Sequence, residues 1–374
     1  MLLAQSSNQT RRRARTRLVS VVAALAVVIA TPTVAAAGGN SGNHSRGGVE
    51  VIASGLDQPR GLFVTRNGVV FVAEAGVGGD DGCGDPILTA EPMCLGESGA
   101  ITRIARNGKQ RRVIEGLPSI ANESDGNFAF GPHDVTLSRG RIYVAVGGPG
   151  NDLDRSDLDP AYADGLGTVL DVRRNSDHTR TVGDIAAFEA SDNPHLTRLQ
   201  SQTNAVEVIG RQTYAVDAAG NSVVEIDRDG NVELVEAFPN RSDGTDTYEA
   251  VPSGLAEGPD GHLYMSDLTG APFPEGGAIV WRLGSTGFEE YATGFTTAVD
   301  LAFGPDGSLY VVENRPGAAG RVMRLAPGET DAANAEVIID DLVFPTGIAV
   351  DRHGAVYVSN NSVFAGAGEV LKIS

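Results

Sequence analysis

A short phrase recurs six times along the sequence, and its spacing constrains the fold more than any other feature. Each copy places one aromatic residue inside a run of β-branched and apolar residues, as in VFVAE, IYVAV and VYVSN. The six aromatic residues are Phe71, Tyr143, Tyr214, Tyr264, Tyr310 and Tyr357. The intervals between them are 72, 71, 50, 46 and 47 residues, and the last three fit the ~40–50 residues of one β-propeller blade. The first two intervals leave room for a long loop in each unit.

Each unit divides into four short runs bounded by Gly, Asp, Asn or Pro, which is typical of strands. The last unit, from Phe344 to Ser374, holds only three runs, whereas a spare run, VEVIASGL, stands at Val49–Leu56. We therefore predict an all-β, six-bladed β-propeller with four-stranded blades over residues 49–374, closed when the N-terminal strand completes the last blade. The outer strand of the second unit is predicted at DIAAFE, which begins at Asp184. No helix is predicted after the N-terminal segment.

The N-terminal segment has the pattern of an export signal. Five arginines between Arg11 and Arg17 precede an apolar run, Leu18–Ala30, and Ala35–Ala37 offers a small-residue cleavage site. A run this short favours a cleaved signal over a membrane anchor. We predict a signal peptide over residues 1–37, a flexible linker over residues 38–48, and a secreted, extracellular product without a membrane anchor after cleavage. Export by the Sec or the twin-arginine route stays open.

The charge of the chain excludes some partners. Removal of the signal would take away five arginines and no acid, so the formal net charge would fall from −19 to −24. A surface this acidic repels nucleic acid and anionic lipid. Either the acids solvate an exported protein, or some of them bind a divalent cation.

The two cysteines, Cys83 and Cys94, lie in one Gly- and Asp-rich loop. In an exported protein such a pair predicts a disulfide that closes the loop. Structural zinc would need four ligands, and no histidine lies nearby.

Two insertions break the regular spacing, Ala75–Ser98 in the first unit and Gly147–Leu166 in the second. Both follow the second strand of their unit, so we expect them on one face, called the loop face below. Long loops on a rigid ring are where binding residues concentrate. Asp152, Asp154 and Asp157 crowd the second insertion and are candidate Ca²⁺ ligands, although the EF-hand spacing is absent. The alternative is a solvated acidic loop.

Three positions after the repeated aromatic residue the units have Glu74, Val146, Asp217, Asp267, Glu313 and Asn360, and five of these six are polar acceptors. The acids Glu74, Asp267 and Glu313 are candidate metal ligands around a channel mouth. Alternatively, they accept hydrogen bonds from backbone N–H groups of adjacent turns, which suits a feature shared by most units.

The residue that opens each inner strand is expected nearest the central channel. This column consists of Arg60, His133, Asn204, Ser253, Val299 and Thr346. We take Arg60, His133 and Asn204 as candidate binding residues, and His133 as a weak candidate for a general base. Adjacent strand residues point to opposite faces, so His133 and Asp134 do not form a dyad by themselves. The sequence contains no GxSxG, HExxH, P-loop or dinucleotide-binding motif.

Several phrases together resemble one family. The opening VIASGLDQPRGLFVTRNGVVFVAEAGVGG with its paired-cysteine loop, then SGAITRI, FGPHDV, YVAVGGPG and PTGIAVDRHGAVYVSN, are similar to the ScyD/ScyE family, named for scytonemin biosynthesis. The resemblance covers Val49–Ser374 and implies an exported β-propeller, but it supplies no catalytic residues. The phrase GPDG-x-LY also resembles NHL-type, gluconolactonase and streptogramin-lyase propellers. Lactonases of the gluconolactonase type hold a metal with Asn and acidic residues around the channel. In this sequence Arg60 is expected at the channel, and its positive charge would repel a cation.

We therefore predict a non-catalytic or accessory binding protein, active as a monomer, that binds a small molecule, glycan or protein on the loop face. One alternative is a metal-assisted lactonase or other hydrolase, or a lyase, with its site at the central channel. The other is a structural or adhesive surface module. Ca²⁺ is the one candidate cofactor.

Overall fold

β-Strands are the main regular secondary structure in the part of the chain that the computed structural model describes, which comprises residues 48–84, 91–148, 164–173, 179–196 and 199–374. Six four-stranded sheets follow one another along these residues as the blades of a β-propeller. The predicted fold class is confirmed. The predicted signal peptide, nearly all of the predicted linker, and Asp152, Asp154 and Asp157 lie outside the described residues.

The first three blades follow one another in chain order. Blade 1 contains β2 (Pro59–Val64), β3 (Val70–Glu74), β5 (Met93–Ile104) and β6 (Gln110–Asn122), with the short β4 (Cys83–Gly84) paired to β5. Blade 2 contains β7 (Pro132–Ser138), β8 (Arg141–Val146), β9 (Thr168–Val172) and β10 (Thr179–Asp184). Blade 3 contains β11 (Thr203–Ile209), β12 (Gln212–Asp217), β13 (Ser222–Ile226) and β14 (Val232–Ala237).

A two-stranded hairpin, β15 (Arg241–Ser242) with β16 (Thr247–Tyr248), connects blade 3 to blade 4. Blade 4 contains β17 (Pro252–Glu257), β18 (Leu263–Asp267), β19 (Ala278–Leu283) and β20 (Phe288–Phe295). Blade 5 contains β21 (Ala298–Phe303), β22 (Leu309–Glu313), β23 (Gly320–Leu325) and β24 (Glu336–Leu342), with a 3₁₀ turn at Ala332–Asn334. Blade 6 contains β25 (Ile348–Val350), β26 (Val356–Asn360), β27 (Gly368–Ile373) and β1 (Val49–Leu56).

The N-terminal strand closes the ring. Strand β1 pairs antiparallel with β27, from Val49 opposite Ile373 to Leu56 opposite Gly368. The predicted completion of the last blade by the first strand is therefore confirmed. Because the two ends of the propeller share one sheet, the last blade is complete only when both ends are in place.

The repeated aromatic residue packs between blades. Tyr264 of blade 4 meets Tyr291 of its own blade, with ring centroids 4.9 Å apart, and Phe303 of blade 5, with centroids 4.7 Å apart. Every residue of β18 is buried, because a second strand lies inside its sheet and is covered on both faces by neighbouring blades. Interblade packing of this kind explains why one large side chain recurs in every unit.

One predicted strand is a helix. Residues Ile185–Asp192 form helix α1, and the outer strand of blade 2 is instead β10, which ends at Asp184. The Asp184 side chain accepts a hydrogen bond from the backbone N–H of Ala187 and so caps the helix. The segment IAAFEASD contains three alanines and one glutamate, residues that favour helix over strand. The prediction that no helix follows the N-terminal segment was therefore wrong.

The predicted disulfide is confirmed. Cys83 in β4 is bonded to Cys94 in β5, and the two residues are paired across the ladder. The first insertion is less irregular than predicted, because Met93–Ser98 already belongs to the long strand β5. In the part of the chain that the structure describes, no helix is long and apolar enough to span a membrane.

Candidate functional site

A cavity of about 120 Å³ lies where the beginnings of the inner strands meet. The first strands of neighbouring blades contact one another around the axis of the ring. All six residues of the predicted channel column line this central cavity: Arg60, His133, Asn204, Ser253, Val299 and Thr346. Apolar residues complete the wall, namely Phe128, Ala129, Phe130 and Val251 from interblade connections and Val363 from the loop between β26 and β27.

Arg60 is the cationic group of the central cavity. Its side chain enters from β2 and is only 7% exposed. One terminal nitrogen, Nη2, donates to the carbonyl oxygen of Ala129 at 2.9 Å, whereas Nε is buried without a hydrogen-bond partner. Burial lowers the pKa of Arg60 to about 10, so the guanidinium is still charged at neutral pH. No carboxylate among the described residues forms an ion pair with it, and a buried charge without a partner is costly.

His133 lies beside this guanidinium at the start of β7. Burial, and then the charge of Arg60, hold the pKa of His133 well below its usual range, so the imidazole is neutral at physiological pH. Its Nδ1 atom is buried without a hydrogen-bond partner. The carboxylate of Asp134 is engaged elsewhere, because its oxygens accept from the backbone N–H groups of Val135 at 2.8 Å and Val206 at 3.0 Å. A neutral imidazole with an open nitrogen can accept a proton or a hydrogen bond from a ligand.

Asn204 and Ser253 contribute further polar groups to the wall of the central cavity. The side-chain amide of Asn204, in blade 3, donates to the hydroxyl oxygen of Ser253, in blade 4, at 3.0 Å. Thr346 donates its hydroxyl to the carbonyl oxygen of Pro59 at 3.1 Å. These contacts connect neighbouring blades across the wall of the central cavity.

The central cavity also contains two carboxylates that the sequence analysis does not predict there. Asp134 and Asp300 line the central cavity from blades 2 and 5. Asp300 accepts from the backbone N–H of Leu301 at 2.8 Å and from that of Ile348, in the next blade, at 2.9 Å. The sequence pattern that could have revealed these two aspartates lies one position after the channel column in each inner strand. At that position the six units have Gly61, Asp134, Ala205, Gly254, Asp300 and Gly347. Each aspartate fills the space that a side chain on the glycine of the preceding blade would take.

Burial dominates the protonation of these acids. It raises the pKa of Asp134 to about 6. Burial also raises the pKa of Asp300 well above its usual range, and the negative charge of Asp134 raises it further. Glu207, further along β11, has its pKa raised to about 7 by burial and by neighbouring carboxylates. The axis of the ring is therefore acidic but only partly ionised near neutral pH.

The predicted strand-end acids lie away from the central cavity, and each faces an arginine. Glu74 forms an ion pair with Arg112 at 2.8 Å and raises the pKa of that arginine through their hydrogen bonds. It also accepts from the backbone N–H of Asp57 at 2.7 Å. This arrangement is the predicted alternative in which the repeated acid holds a backbone turn.

Asp267 and Glu313 follow the same scheme. Asp267 pairs with Arg241 at 2.9 Å, and Glu313 pairs with Arg321. Neither these two acids nor Glu74 is among the residues that line the central cavity. Within the described ranges, the one group of three candidate metal-ligating residues is Cys83, Cys94 and Glu123, and its sulfurs are joined in the disulfide.

No protein-family model matches the sequence, and no curated protein matches it significantly. Its fold is similar to several solved β-propellers. A Thermus thermophilus protein, provisionally described as an oxidoreductase (glucose dehydrogenase), has a TM-score of 0.54 at 16% identity and covers 87% of this chain and 99% of its own. A gluconolactonase from Xanthomonas campestris has a TM-score of 0.52 at 9% identity, over 87% of this chain and 89% of its own. The PQQ-bound aldose sugar dehydrogenase of Streptomyces coelicolor has a TM-score of 0.51 at 14% identity, over 87% and 97%. At these identities the likeness shows the fold alone.

Proposed function

We propose that this protein is an exported binding protein of the ScyD/ScyE type that holds a small organic molecule by an anionic group in the central cavity. The observation that carries the proposal is Arg60, a buried guanidinium that lines the cavity without an ionic partner among the described residues. A ligand carboxylate would supply the missing countercharge through charge-assisted hydrogen bonds.

The position of the central cavity supports this proposal. Ala218, Leu268 and Asn314 directly follow the second strands β12, β18 and β22, and all three line the cavity. The cavity therefore opens on the loop face, where both insertions leave the ring. Its volume suits a small molecule, or one anionic group of a larger ligand whose remainder contacts the loops.

A direct test compares Arg60→Met with the parent protein. The panel of probes is acetate, pyruvate, lactate, benzoate and gluconate, measured by thermal shift and then by isothermal titration calorimetry. At least one carboxylate should raise Tm, and Arg60→Met should weaken its binding about 10- to 100-fold, because a hydrogen bond to a charged group is lost. Arg111→Met, an exposed position on β6, is the matched control and should bind normally. Binding that survives Arg60→Met, or a panel that never binds, would contradict the proposal.

A second candidate is an enzyme with His133 as the proton acceptor, acting as a hydrolase of the lactonase type or as a lyase. The neutral imidazole with its open Nδ1 favours it, and Arg60 would stabilise an oxyanion formed beside it. The variant His133→Gln separates the two functions. Under the binding function it should retain carboxylate affinity within about a factor of ten. Under the enzymatic function it should lose turnover in a screen of lactones and esters while still binding them.

A further inference from the structure

Blade 3 and the preceding helix enclose a group of side-chain oxygen atoms whose residues do not line the central cavity. Glu189 projects from helix α1, and Asp217 ends strand β12. Thr203 and Ser222 flank Asp217 on the two neighbouring strands. We call these four residues the blade 3 oxygen cluster. All four are buried, with exposures of 2% for Glu189, 1% for Asp217, 0% for Thr203 and 1% for Ser222.

Five oxygens of the blade 3 oxygen cluster are buried without a hydrogen-bond partner. They are both carboxylate oxygens of Glu189, Oδ2 of Asp217, Oγ1 of Thr203 and Oγ of Ser222. The other oxygen of Asp217 is engaged, since it accepts from the backbone N–H groups of Gln202 at 2.8 Å and Gly220 at 2.9 Å. Buried polar atoms in folded proteins nearly always have a partner, so a concentration of unpartnered oxygens in one place indicates a ligand.

The backbone brings these oxygens to one side of the sheet. Thr203 and Ser222 are each directly opposite Asp217 in an antiparallel ladder, and residues in such pairs project from the same face. Glu189 joins them from helix α1. Its Oε2 atom and Oδ2 of Asp217 both lie 2.9 Å from the position that a Cβ atom on Gly220 would occupy. Gly220 thus leaves open a small space between the two carboxylates.

The charges in this space are alike. Burial, and then the charge of Asp217, raise the pKa of Glu189 to about 7. The backbone N–H of Gln200 opposes this shift, but it does not reach hydrogen-bond geometry with either oxygen of Glu189. Burial also raises the pKa of Asp217. No arginine or lysine among the described residues forms an ion pair with either acid. Two buried carboxylates side by side are costly unless a cation or a shared proton lies between them.

We propose that the blade 3 oxygen cluster binds one divalent cation, with Ca²⁺ as the preferred ion. A charge of +2 balances the two carboxylates, and the two hydroxyls offer neutral oxygen ligands. A set made only of oxygens selects a hard cation over zinc or copper. The cation fixes helix α1 to blade 3, and its site is separate from the carboxylate-binding site at Arg60.

The test is metal binding by the full mature protein after treatment with a chelator. Isothermal titration with CaCl₂, and then with MgCl₂, should show one site per chain, and Ca²⁺ should raise Tm. Glu189→Gln should weaken Ca²⁺ binding at least about 100-fold and abolish the rise in Tm. Asp229→Asn, an exposed acid of the same blade, is the matched control and should bind Ca²⁺ as the parent does.

Two results would overturn the proposal. One is a chelator-treated parent protein that binds neither ion, which would leave a shared proton between Glu189 and Asp217 as the explanation. The other is a Glu189→Gln variant that keeps full Ca²⁺ affinity, which would place the ion elsewhere. Should Glu189→Gln fail to fold, Ser222→Ala replaces it, with an expected weakening of about 10-fold. Undiminished binding in a folded Ser222→Ala protein would likewise count against the site.

Discussion

The same structural position serves two purposes in different blades. In blades 1, 4 and 5 the acid at the end of the second strand faces an arginine of its own neighbourhood. In blade 3 the equivalent acid, Asp217, faces a second carboxylate, Glu189. All of these acids accept hydrogen bonds from backbone N–H groups, so every acid at this position holds a backbone turn. The charged side chain that each acid faces differs, and this difference distinguishes a structural ion pair from a candidate ligand site.

Removal of an arginine-paired acid should give the largest effect. The carboxylate of Asp267 accepts from the backbone N–H of Ile279 at 2.9 Å and from the indole Nε1 of Trp281 at 2.8 Å, and it pairs with Arg241. Asp267→Ala leaves both N–H donors unsatisfied in a buried place and leaves Arg241 without its carboxylate. We expect the free energy of unfolding to fall by about 3–5 kcal/mol, measured by urea denaturation at pH 8.

An exposed ion pair provides the control for that experiment. Asp306 pairs with Arg324 at 2.9 Å, and its side chain is 48% exposed. Asp306→Asn keeps an oxygen for the hydrogen bonds from Ser308 and should cost at most about 1 kcal/mol, because solvent screens the ion pair. If Asp267→Ala costs no more than Asp306→Asn, the strand-end ion pair does not hold the blade together.

Neutralising a strand-end acid should lower stability where the acid faces an arginine, but not where it faces a second carboxylate. Glu313 accepts from the backbone N–H of Thr296 at 2.6 Å and pairs with Arg321, so Glu313→Gln should lose about 1–3 kcal/mol. Asp217→Asn keeps an oxygen for its backbone donors and removes the repulsion from Glu189. Without Ca²⁺ it should therefore be as stable as the parent, or more stable. Urea denaturation in the presence of EGTA measures both, and equal losses in the two variants would remove the distinction between the blades.

Much of the fold could be predicted because the propeller is a local repeat. The phase of the aromatic residues fixes the strand order, and the missing fourth strand of the last unit predicts the closure that Val49 and Ile373 complete. The same phase places Arg60, His133 and Asn204 at the central cavity. Each of these inferences needs only the alternation of one strand and the length of one unit.

The rest depends on contacts that no local pattern records. Helix α1 interrupts the repeat because Asp184 can cap it, so the outer strand of blade 2 was placed too late in the sequence. Glu189 meets Asp217 across 28 residues of sequence, and nothing in either neighbourhood announces the other. Asp134 was considered only as a partner of His133, although its carboxylate reaches Val206 in the next blade.

The acids at the axis extend the comparison to a third environment. Asp134 and Asp300 have neither an arginine partner among the described residues nor a set of hydroxyl ligands around them. Their carboxylates hold inner strands of successive blades through backbone N–H groups. Burial and mutual repulsion then oppose the ionised forms. Their protonation should therefore affect stability with a sign opposite to that of a hydrogen-bonded surface acid.

Asp134→Asn tests that sign, with a small net effect. Burial raises the pKa of Asp134 from 3.8 to about 6 in the folded protein. Its contribution to stability is therefore complete below pH 3.8 and is lost as pH rises through 6. Asparagine does not ionise but accepts one backbone hydrogen bond less well, so the variant should lie within about 1 kcal/mol of the parent at pH 7. The decisive quantity is how the free energy of unfolding changes with pH. Relative to the parent, Asp134→Asn should gain stability between pH 4 and pH 7, as measured by urea denaturation at several pH values in that range.

The opposite slope is expected for Asp227, an exposed acid in the turn between β13 and β14. Hydrogen bonds from the side chain and backbone of Asn231 hold the pKa of Asp227 below its usual value. Its contribution is therefore present above the ordinary pKa and is lost as pH falls. Relative to the parent, Asp227→Asn should lose stability as pH rises from 3 to 5. Parallel slopes for the two variants would mean that Asp134 titrates like a surface acid, and that the axis carboxylates are not under strain from burial.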